Sequence, residues 1–189
     1  MSTTVIIDKM FLAGSRARSA LAPWAPIPLR LIVGYGFMQH GLAKMSRGPD
    51  AFVGILGALG VPAPHFMAWV SILTELLGGV AVLLGGFVTL VSLPMAMLLW
   101  VAIFTVHLPN GFSSVKLVAV TSAGPQFGPV GYEVDLLYLA CLAALVLMGA
   151  GPFSLDSLLR KSRERSQRTA RELEQQPKAS KIEPSPRGV

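Results

Sequence analysis

Residues 65–87 read HFMAWVSILTELLGGVAVLLGGF, an apolar run whose one acidic or basic side chain, besides the terminal His65, is Glu75. A bilayer hydrocarbon core about 30 Å thick takes about 20 helical residues. The run therefore predicts a membrane-spanning helix with a carboxylate near its middle. Lipid offers the backbone no water to bond, so such a segment must be helical. Three further apolar stretches of similar length lie at residues 27–45, 89–108 and 132–151. Together the four predict an all-α integral membrane four-helix bundle. Gly85 and Gly86 leave only a tight turn between the second and third stretches, making them an antiparallel hairpin, and Pro94 predicts a kink inside the third.

The composition agrees. Of 189 residues, 52% are hydrophobic and 14% charged, where a soluble domain has about a quarter charged. Mean hydropathy is +0.59. The lone cysteine, Cys141, excludes an internal disulfide, a Cys-x-x-Cys redox pair and a multi-cysteine metal centre. The net charge of +6 is concentrated in residues 160–189, where nine Lys/Arg face four acids. These basic residues directly follow an apolar stretch, the pattern of a cytoplasmic membrane flank. The lipid bilayer is thus the expected partner, and nucleic acid is not.

Residues 1–26 are expected to form a cytoplasmic segment, either an amphipathic surface helix or an unstructured tail. Asp8, Lys9, Arg16 and Arg18 interrupt its apolar pieces, which argues against a signal peptide. Residues 27–156 form the transmembrane domain. Residues 157–189 are expected to be a basic, disordered cytoplasmic tail, after extending the fourth helix for a few turns. Basic residues flank both ends of the four crossings, so both termini are expected in the cytoplasm. Within residues 50–60, Phe52, Ile55, Leu56 and Leu59 recur at helical spacing and predict a short interfacial helix. Val61-Pro62-Ala63-Pro64 ends it. Residues 109–131 read as a long loop with one charge, Lys116.

Ionisable residues inside membrane segments are costly and mark functional sites by default. Here they are Arg30, His40, Lys44, Glu75, His107, Glu133 and Asp135, with Gln39 as a neutral companion. Apart from Arg30 and the mid-depth Glu75, they gather toward the outer face. His40 and Lys44, four apart, share a helix face and are candidate partners for Glu75. The competing reading is a polar latch that holds the helices in register without chemistry. Glu133 and Asp135 also suit a helix start, and Arg30 is expected to snorkel to headgroups. Haem between His40 and His107 is disfavoured, because the two differ in depth by about one helical turn. A zinc site of His40, Glu75 and His107 lacks diagnostic spacing, and no metal is expected.

These motifs resemble the DoxX family of bacterial four-helix membrane proteins. The carriers are Arg30 with His40-Gly41-x-x-Lys44, Leu59-Gly60-Val61-Pro62-Ala63-Pro64 and Glu75-x-x-Gly78-Gly79. Further on come His107 with Asn110-Gly111-Phe112, then Glu133, and last Gly151-Pro152-x-Ser154-Leu155-Asp156. The resemblance implies a protein of the bacterial cytoplasmic membrane, linked to redox or oxidative-stress systems and related to the small subunit of thiosulfate:quinone oxidoreductase. It makes quinone the one cofactor to consider. A carboxylate–histidine pair suits proton-coupled quinone chemistry. The chain shows no electron carrier of its own, so a soluble redox partner protein would have to supply electrons.

Three readings follow. The first is an oxidoreductase membrane subunit with Glu75, His40 and His107 as catalytic candidates and Lys44, Glu133, Asp135, Gln39 and Arg30 as binding candidates. The second is a non-catalytic anchor that recruits partner proteins. The third is a small transporter using Glu75 as a proton relay. It is disfavoured by the lack of an inverted repeat, although a homo-oligomer could form a path.

Overall fold

Proline opens three helices of the fold. The computed structural model describes residues 14–15 and 18–175. Pro26, Pro49 and Pro64 stand in the first turns of α1 (Pro26–Ser46), α2 (Pro49–Ala58) and α3 (Pro64–Leu84). A helix start leaves its first amides unbonded, so proline loses nothing there. Gly85 at φ 64° ends α3 in the left-handed region that glycine occupies without strain. Phe87 at φ 52° then leads into α4 (Val88–Ala102), which contains Pro94. The chain continues helically through a π turn, Ile103–His107, and a 3-10 turn, Leu108–Asn110. A β-hairpin follows, β1 (Leu117–Thr121) with β2 (Gly124–Phe127), and then α5 (Glu133–Met148) and α6 (Leu155–Gln175).

The structure is mostly helical. Two helical stretches are long and apolar enough to cross a membrane, Pro64–Leu84 with 21 residues and Val88–Asn110 with 23. The other two expected spans also form helices but differ in character. α1 carries Arg30, Gln39, His40 and Lys44, and α5 has only 16 residues.

Three expectations need correction. The loop at residues 109–131 contains the antiparallel hairpin, with Leu117 opposite Phe127 and Thr121 opposite Gly124. The tail from residue 157 is helical as far as Gln175. That helix does not extend the fourth span either, because Gly149 (φ 77°) and Gly151 (φ 72°) break the chain between α5 and α6. Most of residues 1–26, including Lys9 and Arg16, and residues 176–189 lie outside the described residues.

α1 and α3 pack backbone to backbone. A Cβ on Gly34 would stand 2.8 Å from the Gly79 carbonyl oxygen, and one on Gly79 would stand 2.7 Å from that of Gly34. Small residues allow such close approach between apolar helices, where dispersion replaces the hydrophobic drive. Around this crossing Val33, Phe37, Val82, Val88, Met95, Leu99, Leu142 and Leu145 form the core. The outer surfaces stay apolar: Leu77, Leu90, Leu93, Met97, Phe104 and Leu147 are all exposed.

Arg30 ties the ends of these helices together. It is buried, not snorkelled, because every donor of its guanidinium finds a carbonyl. Nε donates to Val82 O at 3.1 Å, and Nη2 to Leu83 O at 2.6 Å and Phe153 O at 3.3 Å. Nη1 donates to Ala150 O at 3.0 Å and Pro152 O at 3.3 Å. The first two acceptors belong to the last turn of α3, whose carbonyls lack partners within the helix. The others lie in the break before α6.

Asp156 completes this end. Its Oδ1 accepts from the Phe87 amide at 2.7 Å and its Oδ2 from the Val88 amide at 3.3 Å, capping α4 from another helix. Its own amide donates to Gly85 O at 3.0 Å.

Two expected outcomes follow, both read by thermal unfolding in detergent. Gly79→Val should destabilise the fold by about 1–3 kcal/mol through forced separation of α1 and α3. Arg30→Lys keeps the charge but has too few donors for five carbonyls, and should cost on the order of 3 kcal/mol. Wild-type stability in either variant would contradict the packing described.

Candidate functional site

Fourteen residues beyond Arg30, about 21 Å along α1 at the rise of an α-helix, Lys44 meets a carboxylate. Its Nζ lies 2.6 Å from Glu75 Oε1 and donates to Ser71 Oγ at 2.9 Å. Ser71 and Glu75 are four apart on α3 and so share the face that Lys44 approaches. The same ammonium sits 4.4 Å from the centroid of the Phe52 ring on α2, a cation–π contact. Glu75 is buried, 8% exposed. Its second oxygen, Oε2, is also buried and has no hydrogen-bond partner among the described residues.

That carboxylate borders a cavity of about 460 Å³. Phe37, His40 and Lys44 come from α1, and Ser71 and Glu75 from α3. α4 and its π turn supply Leu98, Leu99, Thr105 and His107, and α5 supplies Asp135 and Tyr138. Phe52, Ile55, Leu56 and Leu59 form one wall. These are the four apolar positions whose spacing announces the short helix, so its apolar face is turned to the cavity. The lining is chiefly apolar with a few convergent polar groups, the usual make-up of a small-molecule site.

His107 sits where the π turn ends. Its Nδ1 lies 3.1 Å from Val130 O. A carbonyl can only accept, so that nitrogen carries the proton. Nε2 then faces Asp135, with Oδ2 at 3.9 Å. The Asn110 side-chain amide donates to the same Val130 carbonyl at 3.1 Å, and to Val106 O at 3.3 Å.

The structure thus brings five of the eight candidates to one cavity: His40, Lys44, Glu75, His107 and Asp135. Of the two partners considered for Glu75, Lys44 makes the direct bond. Gln39 is exposed and does not line the cavity. Glu133 points elsewhere: its Oε2 accepts from the Ser114 amide at 3.0 Å, while Ser114 Oγ accepts from the Val134 amide at 3.3 Å. This reciprocal cap fastens the chain before the hairpin to the start of α5. Arg30 is at the opposite end of α1.

Ser71 and Tyr138 were missed as lining groups. Ser71 is i−4 from Glu75 and Tyr138 is i+3 from Asp135, so helical spacing from the acids could have found both. The Phe52 contact has no such signal, since a turn and a separate helix intervene.

A helical fold with apolar outer faces and a mainly apolar cavity holding a few polar groups defines a class of small helical membrane proteins. The chain belongs to the DoxX family: a sequence model of that family matches residues 25–108. It is 32% identical over 136 residues to a Bacillus subtilis protein named "Putative oxidoreductase CatD", covering 72% of this chain and 87% of that one. It is 30% identical over 131 residues to an uncharacterised Haemophilus influenzae protein, covering 68% and 86% of the two chains. An uncharacterised membrane protein of Mycobacterium tuberculosis is 29% identical over 164 residues, covering 80% and 95%. No solved structure matches this chain. The family match spans α1 through the His107 turn, and therefore every cavity residue named above except Asp135 and Tyr138.

Removing Lys44 alone leaves a buried carboxylate without a cation. Lys44→Met should destabilise the protein by about 3–5 kcal/mol, and adding Glu75→Leu should recover most of the loss. A double-mutant cycle of unfolding in detergent reads the coupling, and additive losses would mean that the pair is not coupled.

Proposed function

We propose that this DoxX-like membrane protein is a four-helix, multi-pass subunit of the bacterial cytoplasmic membrane. Both termini lie in the cytoplasm, and the Glu75 cavity opens toward the outer face as the site of a quinone-linked redox system. The observation that carries this reading is Glu75 Oε2, buried at the cavity and lacking any hydrogen bond among the described residues. An unmatched acceptor in an apolar setting is costly, and a ligand hydroxyl or carbonyl would complete it. The apolar lining suits a quinone ring, and the polar groups suit its oxygens.

The residues divide the work by geometry. Lys44, itself bonded to Ser71 Oγ, holds the Glu75 carboxyl through Oε1, leaving Oε2 to exchange a proton with a ligand oxygen. Protonated, it donates to a quinone carbonyl; ionised, it accepts from a quinol hydroxyl. His107 has Nδ1 committed to Val130, so Nε2 is its exchanging nitrogen, and Asp135 stabilises the ring when it is charged. His40 lines the same cavity from α1 and offers a second ring to the ligand. Reduction of one quinone consumes two electrons and two protons. The electrons come from a soluble redox partner, and Glu75 and His107 handle the protons.

A second reading, an anchor for soluble partners, draws on α6, whose residues 158–172 are all exposed. It expects deletion of residues 162–189 to release a protein that otherwise copurifies in mild detergent.

On the first reading, Glu75→Gln keeps the shape and the contact with Lys44 but loses the proton. Quinone reduction by the assembled complex should fall by about 10²–10⁴-fold, with the helical content of wild type retained by far-UV circular dichroism. Full activity in that variant would remove the proposal.

A further inference from the structure

We propose that the end of the molecule opposite the Glu75 cavity binds one anionic phospholipid, with its phosphate held by Arg160 and Lys161. The inference makes no use of the Glu75 chemistry and rests only on the reading that the helices cross a bilayer.

A groove of about 1160 Å³ lies where α1, the α3–α4 turn, the break before α6 and the first turns of α6 meet. Its lining combines three kinds of side chain. Leu84 and Met148 contribute an exposed apolar stretch. Trp24 and Phe153 add a ring pair, with centroids 5.7 Å apart and tilted by 55°. Both are substantially exposed, Phe153 by 80%. Arg160 and Lys161 complete the lining from α6. Apolar, aromatic and cationic side chains in one groove match the three parts of a phospholipid: acyl chain, interfacial region and phosphate. Aromatic rings settle at the headgroup level of a bilayer, and basic residues just beyond it attract anionic lipid.

Charge accounting selects the two cations. Arg30 and Asp156 also border the groove, but both are committed. The Arg30 donors are taken by five carbonyls, and the Asp156 oxygens by the amides of Phe87 and Val88. Arg160 Nε is 3.8 Å from Glu164 Oε1 in an exposed pair, which competes weakly with a phosphate. Lys161 makes no ion pair among the described residues. A free phosphate would use the cations alone and leave the apolar stretch without a role, so the groove favours the amphiphile.

The test is native mass spectrometry of the full chain in detergent, titrated with phosphatidylglycerol or phosphatidylcholine. Phosphatidylglycerol should be retained in preference, and R160Q/K161Q should weaken it by about 25-fold, counting roughly five-fold for each lost cation. R168Q/R171Q, farther along α6, should bind as wild type does, and so should Glu75→Gln. Millimolar inorganic phosphate should not displace the lipid. Equal retention of the two lipids, undiminished binding by R160Q/K161Q, or displacement by phosphate would each overturn the proposal. Far-UV circular dichroism checks folding. If R160Q/K161Q does not fold, R160K/K161Q replaces it, with about a five-fold loss expected for the one cation removed. Release of the chain from membranes by alkaline carbonate would instead refute the bilayer-crossing reading.

Discussion

A guanidinium offers five N–H donors, and in this fold all five of Arg30's are taken by main-chain carbonyls. Two of those acceptors are C-terminal carbonyls of α3, Val82 O also accepting from the Gly85 amide at 3.0 Å, and three come from the break between α5 and α6. One side chain on α1 therefore holds the end of α3 to the break after α5. The negative end of the α3 dipole favours a cation, and the nearby Asp156 carboxylate adds to that field. Lysine could not replace this geometry, since a single ammonium cannot span carbonyls on two separate segments.

Asp156 works from the other direction and makes the same junction rigid. It caps α4 while its amide bonds Gly85, so the α3–α4 turn and the start of α6 are held to each other. Ser154 adds to this: its hydroxyl donates to Gly151 O at 2.7 Å and accepts from the Ser157 amide at 3.2 Å. The Gly-Pro-x-Ser-Leu-Asp stretch thus acts as a built corner. That corner sets the position of α6, and with it the groove beside Arg160 and Lys161.

Much of this was legible in the sequence, for identifiable reasons. Long apolar runs carry their own period and length, so all four expected spans and the short helix at Pro49–Ala58 form as helices. Two of them, Pro64–Leu84 and Val88–Asn110, are long and apolar enough to cross a membrane. Lys44 and Glu75 stood out because charges in apolar runs are few. What stayed hidden depends on contacts distant in sequence. Nothing local to Arg30 announces carbonyls more than fifty residues away, so the side chain read as one that reaches for headgroups. The hairpin is short, and its Leu-Val-Ala-Val-Thr strand is easily taken for part of a Gly- and Pro-rich loop. Glu133 reads as a candidate because it is ionisable in an apolar segment, with a helix start as the competing reading, and neither signal announces the Ser114 amide its carboxylate accepts from. The helicity of residues 155–175 runs against their polarity. Exposed Arg–Glu pairs four apart, as at Arg168 and Glu172 with 2.9 Å between them, add only a little.

Two cations of α1, the buried Arg30 and the half-buried Lys44, differ in how far their partners are satisfied. Around Arg30 every donor has an acceptor, so a further ligand would have to displace a bond already made. Around Lys44 the pairing is incomplete, because Glu75 contributes one oxygen to the ammonium and leaves the other buried and unpartnered. Folding alone would favour replacing such a half-satisfied pair with apolar side chains. On the proposed reading, its place beside a cavity, with a histidine and a second acid also in the lining, is where a ligand would complete it.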